Sequence, residues 1–272
     1  MIDVSFFRRI WSRIHEDEVP ALAAQLAYFL LLSLFPLLIF LVALLPYLPL
    51  THHDLIEFIQ EYTPVEHSEF INESVEEVLT KNTTVLSFGI LATLWSASNG
   101  INAIVRSFNK AYRVEETRST LVARLKSVLL TVAMIFVFVM ALLLPVFGKE
   151  VGEFLFTLFG LKSEFLNIWE TLRWFASFLV LLIVFTGLYW IAPNIKMKCR
   201  SVLIGAMFAT IGWVIVSWVF SYYVNNFAQY TLIYGQIGGV IALLLWLYLA
   251  AFIIIIGGEI NAYFHEQANK KC

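Results

Sequence analysis

The sequence predicts an all-α polytopic membrane protein with six transmembrane helices. Three observations carry that expectation. Of 272 residues, 60% are hydrophobic and 14% charged, against about 45–50% and about 25% in soluble domains. Six windows lack Asp, Glu, Lys, Arg and His: 21–48, 84–105, 127–147, 174–192, 201–224 and 236–258. The shortest has 19 residues, and roughly 20 helical residues cross a hydrocarbon core of about 30 Å. The basic residues between windows also alternate in density. The N-terminus, 106–126, 193–200 and the C-terminus carry 14 Lys and Arg, while 49–83, 148–173 and 225–235 carry 4. By the positive-inside rule both termini are cytoplasmic. The whole chain, 1–272, reads as one multi-pass membrane domain.

Residues 1–20 precede the first span. Phe6, Phe7, Ile10, Trp11 and Ile14 recur at helical spacing, with Arg8, Arg9 and Arg13 between them. This pattern predicts an interfacial helix on the inner leaflet. No short apolar core precedes a cleavage site there. The first span, 21–48, holds Pro36 near its middle, where a lost backbone donor is expected to kink the helix. Segment 49–83 places Phe58, Ile59, Phe70, Ile71, Val75, Val78 and Leu79 among eight acids, and predicts amphipathic helices on the outer face. Segment 148–173 is rich in Phe, Leu and Trp and is expected in the outer interface. Gly205, Ala209 and Gly212 on span five, and Gly235, Gly238, Gly239 and Ala242 on span six, are spaced for close helix crossings.

Polar groups at membrane depth point to function because lipid tolerates them poorly. Trp95, Asn99, Asn102, Arg106, Asn109 and Arg113 follow spacings of 4, 3, 4, 3 and 4, which places them along one helix face; Ser96 and Ser98 lie beside it. That face is either helix–helix glue or the wall of a substrate path. Gln25, Tyr234 and Gln236 extend the candidate path. Glu259 abuts the end of span six, and its expected partner is Arg106, an ion pair closing the inner end.

The catalytic kit is missing from the sequence. It holds no phosphate loop, no H-E-x-x-H and no G-x-S-x-G. Cys199 and Cys272 have no metal spacing, and the net charge of −2 gives no field for nucleic acid. The chain is therefore expected to be no enzyme, to carry no metal or cofactor and to bind no nucleic acid.

Several stretches carry a resemblance. They are Ala21-Leu22-Ala23-Ala24-Gln25-Leu26-Ala27-Tyr28 with Pro36, Trp95-Ser96-Ala97-Ser98-Asn99-Gly100 leading to Asn109-Lys110-Ala111-Tyr112, and Pro193. Tyr234-Gly235, Trp246-Leu247-Tyr248 and Gly258-Glu259-Ile260-Asn261-Ala262 follow. In this order the chain resembles the YihY/BrkB family of bacterial integral membrane proteins over nearly its full length. The resemblance implies a six-span helical protein of the bacterial plasma membrane. Members have carried a ribonuclease label, which these residues do not fit, because metal-dependent RNA hydrolysis needs clustered ligands on a soluble surface. The expected function is translocation of an amphipathic or lipid-like substrate. The alternative is a non-transporting scaffold or subunit of an envelope-assembly complex. Expected partners are membrane lipids, with a second copy or an envelope protein also open.

Overall fold

The computed structural model describes residues 4–44, 46, 82–119, 121–132, 164–195, 202–227 and 237–269. Their regular structure is helical. We number the helices α1 (Val4–Glu16), α2 (Val19–Leu44), α3 (Thr83–Ala111), α4 (121–132), α5 (Glu164–Ile191), α6 (Leu203–Phe227) and α7 (Ile237–Asn269). Four of them, α2, α3, α6 and α7, are long and apolar enough to cross a membrane, and Phe175–Ile191 within α5 is a shorter apolar stretch. The third charge-free window is described only to residue 132. Its remainder lies outside the described residues, as do 49–81, 148–163, Cys199 and Cys272.

Charge-free windows mark the helices but not their ends. Helix α5 begins at Glu164, so 164–173, expected to be part of an interfacial segment, continue the helix. Helix α7 runs past Glu259 to Asn269. Charges end an apolar window, but Glu, Lys and Arg are good helix formers. The actual ends have local causes. Asn82 caps α3, its Oδ1 accepting from Val85 N–H at 3.1 Å. Pro193 follows the end of α5, where it cannot continue the helix. At the end of α3, Val114 N–H reaches Asn109 O and Arg113 N–H reaches Lys110 O, both at 3.0 Å. Arg113 has φ 57°, so this is a Schellman cap with arginine in the usual glycine place. Helix α2 continues through Pro36.

The chain divides into two compact units, residues 29–97 and the rest. In the smaller, α2 and α3 approach at Gly89, where an added Cβ would lie 3.0 Å from the Phe40 Cα. In the larger, α6 lies against both α7 and α5, and α1 lies against α7. The apolar outer surface is that of a membrane protein. On α4, Leu121, Val122, Leu125, Leu129 and Val132 are exposed, while Ser127 and Thr131 are buried. Each buried hydroxyl donates to its own helix, to Ala123 O and Ser127 O. Apolar side chains outside and satisfied polar groups inside are what lipid requires.

Candidate functional site

Residues 257–261 of α7 form the junction of the larger unit. Gly257 and Gly258 have no side chain because other groups occupy the space. A Cβ on Gly258 would lie 2.6 Å from the Phe108 ring of α3. One on Gly257 would meet the Tyr189 hydroxyl of α5 and lie 2.9 Å from the Gly205 carbonyl of α6. Phe108 and Tyr189 touch each other, centroids 5.0 Å apart. The Tyr189 hydroxyl donates to Ile254 O at 2.6 Å. Asn261, fully buried, accepts from Gly205 N–H at 2.7 Å and donates to Val202 O at 3.0 Å. It thereby satisfies an N–H that the first turn of α6 leaves without an intrahelical partner. The expected crossing at Gly205, Ala209 and Gly212 is present: a Cβ on Gly212 would lie 2.8 Å from Ile253 of α7, and Ala209 is buried.

Glu259 projects from this junction and is 1% exposed. Its partner is Arg13 of α1, at 3.3 Å, which corrects the expected pairing with Arg106. Arg106 is exposed on α3, and among the described residues no Arg106–Glu259 bridge forms. Sequence places both residues at the same end of the spans, but α1 reaches the carboxylate first. Arg13 Nη1 also donates to Ala111 O at 3.2 Å, and Nη2 to Glu266 at 2.8 Å. One guanidinium therefore joins α1 to α3 and α7. Phe6 reinforces the contact, its ring 5.1 Å from that of Tyr263. Phe7 and Trp11, on the other face of α1, are each 66% exposed.

A second set of charges holds the α1–α2 turn. Asp17 is buried beside Glu259, with Arg113 Nη2 at 3.9 Å from its Oδ2. Arg113 also bonds Glu16 at 3.0 Å, and Lys110 bonds Glu18 at 3.2 Å. Glu18 has φ 55°. Two non-glycine residues in the left-handed region, Glu18 and Arg113, thus sit on facing segments linked by ion pairs. Hydrogen bonds from Ser12 and Arg113 hold the Glu16 carboxyl below its ordinary value. The adjacent Asp17 and Glu16 charges push the Arg113 guanidinium up. Burial, then the charge of Glu259, pushes the Tyr112 phenol above its usual range. A cleft of about 320 Å³ opens here, lined by Arg9, Ser12, Arg13, Glu16, Arg113, Tyr263 and Glu266.

The residues of the polar α3 stripe have different surroundings. Asn109 is buried and structural, accepting from Asn194 N–H at 2.7 Å and donating to Glu116 at 2.9 Å. Trp95 is exposed and Asn102 half-buried. Ser98 is buried. Asn99 accepts from Arg124 Nη1 of α4 at 2.7 Å. Gln25 is exposed on α2. Tyr234 and Gln236 lie outside the described residues. Sequence reasoning missed Arg13, Asp17, Arg124 and the capping role of Asn261. Arg124 belongs to the basic segment 106–126, whose charges the positive-inside rule alone explains. Among the described residues no group of three or more His, Cys, Asp or Glu could hold a metal ion.

A family model described as virulence factor BrkB matches residues 10–271. The chain belongs to the BrkB family. The ribonuclease-like protein YfkH of Bacillus subtilis is 51% identical over 265 residues, 97% of this chain and 96% of that one. A UPF0761 membrane protein of Aliivibrio salmonicida is 28% identical, covering 98% of this BrkB-family chain and 85% of its own. A UPF0761 membrane protein of Haemophilus influenzae is 24% identical, covering 94% and 93%. No solved structure matches. The BrkB assignment and the long apolar helices place the chain in a membrane.

Proposed function

We propose that this BrkB-family protein translocates an amphipathic, lipid-like substrate across the bacterial plasma membrane, and that the Arg13–Glu259 pair closes its cytoplasmic end. In this reading six helices span the bilayer and both termini are cytoplasmic. The observation that carries it is the placement of Glu259. A 1%-exposed carboxylate in an apolar membrane-length helix is held by a guanidinium from a separate amphipathic helix. Charges buried among membrane-spanning helices are costly and mark pathways or gates. A buried ion pair is weak as a source of stability but suits a contact that must form in one state and open in another. In this reading Phe7 and Trp11 stay in the interface while the Arg13 face of α1 leaves α7.

The test is leaflet exchange in proteoliposomes carrying fluorescent lipids, read by surface quenching. Exchange above empty liposomes, altered by Arg13→Ala, supports translocation. Folded protein that exchanges no lipid, with or without an ion gradient, refutes it and favours the scaffold reading.

A further inference from the structure

Two buried carboxylates meet where the α1–α2 turn touches α7. Asp17 and Glu259 are each 1% exposed, and their carboxyl groups lie within hydrogen-bonding reach of each other. Asp17 Oδ2 and Glu259 Oε1 have no hydrogen-bond partner among the described residues. Neither has the Tyr112 hydroxyl, which lies close enough to feel the Glu259 charge. Ionised carboxylates only accept hydrogen bonds, so two of them in contact set lone pairs against lone pairs. Buried polar atoms nearly always have a partner, and the group missing here is a donor.

The surrounding charges do not supply it. From α1, Arg13 bonds Glu259 through Oε2 and divides its fork with Glu266. From the end of α3, Arg113 bonds Glu16 at 3.0 Å and stands 3.9 Å from Asp17 Oδ2, too far for a hydrogen bond. Two guanidiniums thus serve four carboxylates, two of them buried. Lys110 bonds Glu18 on the exposed side. His265 of α7 meets the Tyr112 ring edge-on, Tyr189 of α5 donates to Ile254 O, and α6 carries no charged residue. Two carboxylates that share one buried site do not both ionise, because like charges in contact repel and neither is solvated.

We infer that Asp17 and Glu259 share one bound proton, in a site that clasps the α1–α2 turn to α7. Protonation turns one carboxylate into a carboxylic acid whose O–H donates to the other. Release of the proton returns two facing negative charges, which loosen the turn from α7. The site rests on these contacts and not on translocation, and its test reads the proton rather than lipid exchange, so the two readings fail separately. At neutral pH ordinary Asp and Glu are ionised, with pKa values of about 3.9 and about 4.3. Infrared spectroscopy of the full-length protein in an ester-free detergent is expected to show a protonated-carboxyl band at neutral pH. The band shifts in heavy water and is lost as the pH is raised. Asp17→Asn and Glu259→Gln each abolish it, because each leaves one carboxylate beside an amide donor; where one variant does not fold, the other carries the test. Glu115→Gln, at an exposed position, keeps the band. No band in the wild type, or a band that survives either dyad variant, overturns the inference. Thermal stabilisation by sodium ions that is lost in both dyad variants, with no carboxyl band, reassigns the site to a metal cation and overturns the proton.

Discussion

Replacing Arg13 by alanine tests the ion-pair assignment most sharply. The side chain has three acceptors of unequal weight. Glu266 is 47% exposed, and an exposed pair contributes only about 0.2–1 kcal/mol. The Ala111 carbonyl can be rehydrated at the helix end. Glu259 cannot, being 1% exposed. Without Arg13 it remains a buried carboxylate beside Asp17, and removing one partner of a buried pair costs about 3–5 kcal/mol. Glu259→Gln is expected to be milder, about 1–3 kcal/mol, because it leaves a neutral amide and Arg13 retains two acceptors. The double variant Arg13→Ala/Glu259→Gln then costs less than the sum of the single changes, by more than about 1 kcal/mol. Reversible unfolding in mixed detergent, followed by circular dichroism, measures all three. Arg106→Ala is the control and should be near neutral. The Arg13–Glu259 assignment fails if Arg13→Ala is silent, if the two changes add within about 0.5 kcal/mol, or if Arg106→Ala is as damaging as Arg13→Ala.

Further outcomes follow from the same contacts. Gly205→Ala places a methyl against the Gly257 carbonyl and should prevent the α6–α7 crossing, whereas Gly239→Ala, with nothing within 4 Å, should stabilise α7 by up to about 1 kcal/mol; thermal melting compares them. Asn261→Ala leaves two buried backbone groups unpaired and should cost about 1–3 kcal/mol each, with hydrogen exchange rising at the start of α6. Arg113→Gly should be less destabilising than Arg113→Ala by about 1 kcal/mol, because only the glycine relieves the left-handed backbone. For pH, the folded Tyr112 phenol lies above its ordinary value of 10.0. Its contribution is complete below that value and is lost as pH rises past it. Melting temperature should fall above pH 10.0 in wild type and less so in Tyr112→Phe.

What was legible in the sequence was what composition controls. Long charge-free windows located α2, α3, α6 and α7 because lipid excludes unpaired charge. The alternation of Phe and Arg in 6–14 located α1, and the small residues of α6 located its crossing with α7. Helix ends were less legible. Glu164, Glu259 and Glu266 are compatible with a continuing helix, so counting charges shortens α5 and α7. At the candidate site Glu259 was recognisable, as a carboxylate with no polar residue before it. Its partner was not, because Arg13 lies 246 residues away in sequence and Arg106 satisfied the same topological rule. The α3 spacing places Asn99 and Asn109 on one face. It gave no sign that Asn99 is held by Arg124, since a long side chain can place its charge several residues from its own helix position. The pairing of Gly257 with Tyr189 and of Gly258 with Phe108 is a matter of three-dimensional packing that a glycine pair alone does not encode.

In the proposed translocation, α1 leaves α7 for substrate to pass. Phe6 and Tyr263 face each other across that contact. The decisive measurement is lipid exchange by Phe6→Cys/Tyr263→Cys, with Cys199 and Cys272 replaced by serine, before and after disulfide formation. Oxidation is expected to stop exchange, and reduction to restore it. Equal exchange by the oxidised and reduced proteins, with the cross-link shown to be complete, refutes the proposed movement of α1.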